Sequence, residues 1–153
     1  MPTVIDELDD LHRLVGQQLD SGNWIEITQD RVNLFADATD DHQWIHVDVE
    51  RARAASMFGG PIAHGYLTLS LLSDMVARIL HVRGASMGVN YGLNKVRFPA
   101  AVPVGSKVRL AAPEVISVDD VTGGLQVVLR ATVQCTETDK PVCVAEPVFR
   151  FYR

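Results

Sequence analysis

The sequence predicts an α+β domain in which a curved antiparallel sheet wraps one long apolar helix. Three observations carry that expectation. Pro61–Leu80, PIAHGYLTLSLLSDMVARIL, has no charged residue before Asp74, and its apolar positions leave no polar stripe at helical period, so it reads as a buried helix. From Gly88 onward the apolar period changes from 3.6 to 2; Leu125, Val127, Leu129, Ala131, Val133 and Cys135 share one face of a strand whose other face is largely polar. With 153 residues, 47% hydrophobic and 22% charged, the chain is one domain, 1–153, long enough to bury a core without metal or disulfide.

In chain order, Ile5, Leu8, Leu11 and Val15 predict an amphipathic helix over residues 4–15, ended by Gly16. Asn23–Thr28 reads as a short strand, after which Thr28 caps a helix carrying Val32, Leu34, Phe35 and Ala38. The loop Thr39–Asp48 is denser in ionisable groups than the rest of the chain. A second short helix over residues 49–58 follows, and Gly59-Gly60-Pro61 turns the chain into the apolar helix. Gly88–Phe98, Ser106–Val118, Leu125–Cys135 and Val142–Tyr152 read as strands, with Pro113 bulging the second of them. A turn at Thr138-Asp139-Lys140 sets Cys135 across from Cys143. About five strands and one helix result, and one sheet covers only one side of that helix; a second copy in an isologous dimer is expected to supply the other wall.

Composition excludes several classes. A net charge of -5 without a basic cluster argues against a nucleic-acid partner. The apolar helix, interrupted by His64, Asp74 and Arg78, is no membrane span. The acidic start, MPTVIDELDDLHRLV, lacks a secretory pattern, so the cytoplasm is the expected location. Cys135 and Cys143 have neither the number nor the spacing of a zinc site, and in that compartment both are expected to be reduced.

Asp41 and His46 share the polar loop, and His64-Gly65 opens the apolar helix. If the loop folds over the helix start, a carboxylate and an imidazole converge where they can hold one water and move two protons. Helix-start amides without an internal partner can polarise a carbonyl beside them. The chemistry read from the residues is addition or removal of water next to a carbonyl.

At these residues the sequence resembles a known family. Asp41-His42-Gln43-Trp44-Ile45-His46 is similar to the Asp-x-Asn-Pro-x-His motif of the MaoC-like, R-specific enoyl-CoA hydratases and dehydratases. Pro61-Ile62-Ala63-His64-Gly65 resembles that family's Ile-Ala-His-Gly helix start, and Val96-Arg97-Phe98-Pro99 with Val102-Pro103-Val104-Gly105 resembles its later strand and turn. The likeness runs from about Trp24 to Tyr152, most like the nodulation-protein-N-like actinobacterial branch. Gln43 and Trp44 stand where the family usually has Asn and Pro.

The resemblance implies a hot-dog fold, a homodimer with a thioester tunnel at the subunit interface, and hydration of a trans-2-enoyl-CoA or carrier-protein thioester to the R-3-hydroxyacyl thioester. Asp41 and His46 would be the catalytic pair, and the Gly65 amide would bind the thioester oxygen, a contribution of ~3 kcal/mol in the transition state. His64 and Asn94 are further candidate substrate-binding residues. No metal or other cofactor is implied. Two rivals are a hot-dog thioesterase, which commonly carries a carboxylate early on the central helix, where this chain has none, and a non-catalytic acyl-binding partner subunit, against which the retention of Asp41 and His46 speaks.

Overall fold

A computed structural model describes residues Met1–Arg153. Its main sheet has five strands: β2 (Ile25–Glu26), β4 (Met87–Arg97), β5 (Lys107–Val121), β6 (Gly124–Cys135) and β7 (Thr138–Tyr152). They are ordered β2-β5-β6-β7-β4, and every neighbouring pair is antiparallel. The apolar face expected for β6 is buried throughout, from Leu125 to Cys135. It joins Leu67, Leu72, Met75, Val76 and Ile79 of the central helix in one apolar cluster. This is the hot-dog arrangement, a sheet curled over a helix. Truncating a fully packed side chain such as Met75, 2% exposed, would cost roughly 2–5 kcal/mol.

The helix differs from its expected form in two ways. It begins at Gly65, as α4 (Gly65–Ser70) and α5 (Leu72–Ile79), joined through Leu71, which keeps right-handed helical angles. Pro61–His64 precede it as extended chain, with Ile62 bridged to Pro103. Nor is it buried on every side: Tyr66, Ser70, Ser73, Asp74, Ala77 and Arg78 form an exposed strip, along which Arg78 Nε donates to Asp74 Oδ2 at 2.8 Å.

Three further corrections have local causes. The N-terminal segment is a short strand, β1 (Thr3–Ile5), followed by a 3-10 helix over Leu8–Leu14. Leu8, Leu11 and Leu14 are buried and Val15 is 46% exposed, because a 3-10 helix repeats every three residues rather than every 3.6. β1 pairs in parallel with β3 (Leu80–Val82), a second small sheet. The β6–β7 turn is Thr136-Glu137, so Cys135 pairs with Thr138 and Cys143 faces Val133. Both cysteines are free and buried, and burial pushes the Cys143 thiol up to about 11.

The elements that place the site follow their sequence signals. Thr28 accepts a hydrogen bond from the Arg31 amide at 3.1 Å and starts α1 (Gln29–Thr39), a cap worth ~1 kcal/mol. α1 buries Val32 and Ala36, half-buries Phe35 and leaves Leu34 at the surface, 69% exposed. It ends at Asp40, whose φ of 59° is the left-handed conformation that aspartate tolerates better than most side chains. The expected polar loop then contains a single helical turn, α2 (Trp44–Val47), followed by α3 (Val49–Ala55). The register of β5 on β6 shifts between Ala111 and Glu114, around Pro113, which has no N–H to give the ladder.

Candidate active site

The left-handed turn at Asp40 redirects the chain so that Asp41 starts a loop across the beginning of the central helix. Three bonds hold this loop. His42 Nε2 lies 2.8 Å from Asp37 Oδ1 on α1, the Gln43 amide donates to Asp41 Oδ1 at 3.4 Å, and the Asp41 carbonyl accepts from His64 Nε2 at 2.9 Å. Trp44 opens α2 at the first helical position, where proline is also favoured. Replacing the family's proline therefore leaves the turn intact, and the Trp44 ring carries the Arg51 guanidinium 4.3 Å from its centroid.

His46 lies in α2 and is 6% exposed. Its Nδ1 is 2.7 Å from the Ile62 carbonyl. A carbonyl oxygen only accepts, so Nδ1 carries the hydrogen and Nε2 keeps its lone pair. Ile62 also donates its amide to the Ile45 carbonyl at 3.0 Å, so α2 and the chain before the helix are fastened at adjacent residues. Burial pushes the His46 pKa below its ordinary 6.5, the neighbouring His64 adds to the shift, and the Ile62 carbonyl and Asp41 oppose it. The imidazole at neutral pH is an uncharged base.

His64 is 2% exposed and stacks on His46, with ring centroids 3.9 Å apart and planes 25° apart. Its other close ring is Phe35 of α1, at 4.9 Å. The ligand-type atoms of Asp41, His46 and His64 all lie within 4.8 Å of one another. The two rings meet face to face, each gives one N–H to a carbonyl, and the remaining nitrogens, Nε2 of His46 and Nδ1 of His64, keep their lone pairs as acceptors.

Gly65 is the first residue of α4, and neither its amide nor that of Tyr66 is bonded within the protein. A Cβ on Gly65 would stand 3.1 Å from the Phe98 ring, so glycine is what lets Phe98 close over the helix start. A mostly apolar cavity of about 340 Å³, lined in part by Gly65, Thr68, Phe58 and Phe98, adjoins it. Another of about 280 Å³ lies between the helix and strands β4 and β7, lined in part by Leu69, Leu72, Leu93 and Phe149.

The structure thus brings together Asp41, His46 and His64, with Gly65 next in the chain. Asn94 is not part of this cluster: it is exposed on β4, in the irregular stretch between Leu93 and Val96, and makes no side-chain hydrogen bond in the protomer. Sequence reasoning missed Gln29, whose Nε2 donates to the His46 carbonyl at 2.8 Å, together with the Ile62 carbonyl and Phe98. The Ile-Ala-His-Gly likeness marked where Ile62 lies, but a main-chain acceptor leaves no side-chain signature.

Comparison with known proteins identifies the family. A family model described as MaoC like domain matches residues 10–137. The chain is 50% identical over 143 residues to 3-hydroxyacyl-thioester dehydratase Z of Mycobacterium tuberculosis, covering 93% of each protein. It is 55% identical over 102 residues to nodulation protein N of Rhizobium meliloti, covering 66% of this chain and 63% of that one. The solved (R)-hydratase of A. caviae superposes with a TM-score of 0.68 at 23% identity, over 90% of this chain and 96% of that one, a likeness of fold. The chain belongs to the MaoC-like dehydratase family, and by that membership it is a hydro-lyase.

Proposed function

We propose that the protein is an R-specific enoyl-thioester hydratase, reversibly adding water to a trans-2-enoyl-CoA to give the R-3-hydroxyacyl-CoA, with Asp41 and His46 as the catalytic pair. The observation that carries this reading is the tautomer of His46: its Nδ1–H is held by the Ile62 carbonyl at 2.7 Å, which leaves the Nε2 lone pair for a water that the Asp41 carboxylate also holds. The name of the mycobacterial relative, a 3-hydroxyacyl-thioester dehydratase, supports the same chemistry in its reverse direction.

In hydration, the water oxygen bonds to C3 as Nε2 takes one of its protons. The C2–C3 π pair moves through C2 toward the thioester oxygen, where the Gly65 amide donates. The carbonyl then re-forms as C2 takes the proton back from the imidazolium, so the sum is water added across the double bond. Asp41 accepts a hydrogen bond from the other water hydrogen, which stays on the product hydroxyl, and its charge stabilises the transient imidazolium. An amide aimed at the developing oxyanion contributes ~3 kcal/mol. The apolar cavities beside the helix can take the acyl chain, and no metal or cofactor enters these steps.

The working form in this reading is a cytoplasmic homodimer. β4 is exposed along nearly its whole length, including Met87, Val89, Tyr91 and Leu93, and a free strand edge of this kind invites pairing with a second copy. That copy would also cover Asp41, which is exposed in the protomer, and bring β4 residues such as Asn94 near the slot.

The deciding experiment is incubation with crotonyl-CoA, following enoyl absorbance and free thiol together. Loss of enoyl absorbance without thiol release is expected. Thiol release would make the protein a thioesterase, and binding without either change would make it a non-catalytic acyl-thioester subunit; each overturns the reading.

A further inference from the structure

We infer that His64 is a positioning residue for this reaction, a strut that fixes the Asp41 carboxylate, the His46 base and the helix start relative to one another without transferring a proton. The inference rests on the hydratase reading and assigns a task to a residue that reading leaves unused.

Three contacts of one side chain make the case. The His64 Nε2–H reaches the Asp41 carbonyl at 2.9 Å, and the other hydrogen bond to Asp41 is the 3.4 Å one from Gln43 inside the same loop. The tie between Asp41 and the helix-start segment therefore runs through this ring. The face of the ring lies on His46 at 3.9 Å, which limits rotation of the base. The main chain of His64 caps α4, its carbonyl accepting from the Leu67 and Thr68 amides at 3.0 and 3.3 Å, and so fixes the adjacent Gly65.

The second ring nitrogen shows that stability alone does not explain a histidine here. Nδ1 is buried and has no hydrogen-bond partner, and an unpaired buried acceptor costs about 1–3 kcal/mol. Phenylalanine would fill a similar space against Phe35 and His46 without that cost. What phenylalanine lacks is the donor for Asp41, and what glutamine lacks is the flat face for His46. Histidine supplies both from one side chain.

The two requirements can be separated in the full-length protein. His64→Gln keeps an amide donor near the Nε2 position and loses the ring. His64→Phe keeps the ring and loses the donor, and His64→Leu, which is smaller, removes the donor without risk of overfilling. Crotonyl-CoA kinetics, thermal melting and amide hydrogen exchange of residues 40–43 would be measured on each. In His64→Phe and His64→Leu, kcat is expected to fall about 30-fold or more with KM within about threefold, as misplacement of a catalytic group by an ångström predicts, and exchange at 40–43 to quicken. In His64→Gln, kcat is expected to fall by only about fivefold, the effect of the lost ring face on His46, with exchange at 40–43 unchanged.

Donor-free variants with parental kcat and exchange would overturn the inference. So would a folded His64→Gln as impaired as they are, because a merely structural role follows the melting temperature rather than the donor. A parent protein that leaves crotonyl-CoA intact would instead overturn the hydratase reading, and the exchange of residues 40–43 would still decide whether His64 is the strut.

Discussion

The two halves of the site are built to different standards. The half that contains His46 is closed: the ring is buried, one nitrogen is committed to the Ile62 carbonyl at 2.7 Å, its own carbonyl is held by Gln29, and Ile45 is tied to Ile62. The half that contains Asp41 is open: its carboxylate is exposed and accepts one long bond, and its backbone is held by one donor on His64. A base must be present in the correct tautomer before substrate arrives, and desolvation keeps it uncharged. A carboxylate that orients water can be completed later, when an acyl thioester or a second subunit excludes solvent. In the proposed reaction, the protomer thus carries a finished base and an unfinished water-orienting carboxylate.

The largest expected effects test that asymmetry. His46→Ala removes the base and leaves the Ile62 carbonyl without its partner, so enoyl hydration should fall by about 10³-fold or more. Asp41→Asn keeps the size and a hydrogen-bonding group, so a loss of about 10²-fold is expected. Steady-state rates on crotonyl-CoA, with circular dichroism to confirm folding, make the measurement. A more damaging Asp41→Asn would show that the open half is the better organised one, and an active His46→Ala would remove the proposed base altogether.

Acidity sharpens the same contrast. Burial holds the His46 pKa below its ordinary 6.5, and the proposed mechanism uses the neutral ring, so the acid limb of kcat/KM against pH should lie below that value. The stability linkage has the same sign: the unfolded chain takes up a proton as pH falls through 6.5 while the folded chain resists until its own lower pKa. Stability from this residue is therefore present above the unfolded value and declines on acidification down to the folded one. An acid limb above 6.5 would mean that His46 is paired with Asp41 as an imidazolium rather than held apart as a neutral base.

The same division separates what was legible in the sequence from what was not. The strands were readable because alternation survives burial, as along Leu125–Cys135, and Pro113 announced its bulge. The helix start was read four residues early because Pro61–His64 are as apolar as a helix core; their exposure to solvent is removed by pairing with the chain near Pro103 instead. Val15 was preferred to Leu14 because the two differ by one position, which decides between 3.6 and three residues per turn. In the site, Asp41 and His46 were marked by residue type and by the likeness of their run to the Asp-x-Asn-Pro-x-His motif. The tautomer of His46 was not, since it depends on an oxygen every residue possesses, and neither was the closeness of Phe98 to Gly65, which joins distant parts of the chain.

Gly65 faces both halves, and a smaller effect is expected there. In Gly65→Ala the new Cβ meets the Phe98 ring at 3.1 Å, so either the ring or the helix start must move by a few tenths of an ångström. If its amide is the oxyanion donor proposed, displacing rather than deleting it should cost about tenfold in kcat, less than the 10²–10³ of full removal. Phe98→Leu in the same chain makes room and should restore part of the loss. Absence of that coupling in the double-mutant cycle would show that Phe98 does not set the position of the amide.

The smallest effect belongs to the outer anchor of the open half. His42 reaches Asp37 at 2.8 Å, and that hydrogen bond raises its pKa, but both side chains are largely in solvent. Exposed pairs contribute little to holding a backbone. His42→Ala should therefore change kcat by no more than about twofold, provided the His64 donor alone is enough to hold Asp41. Comparing His42→Ala with His64→Leu in one assay ranks the two anchors. If His42→Ala proved as damaging as His64→Leu, the loop would be fastened from α1 rather than from the helix start, and the open half would owe its geometry to the surface.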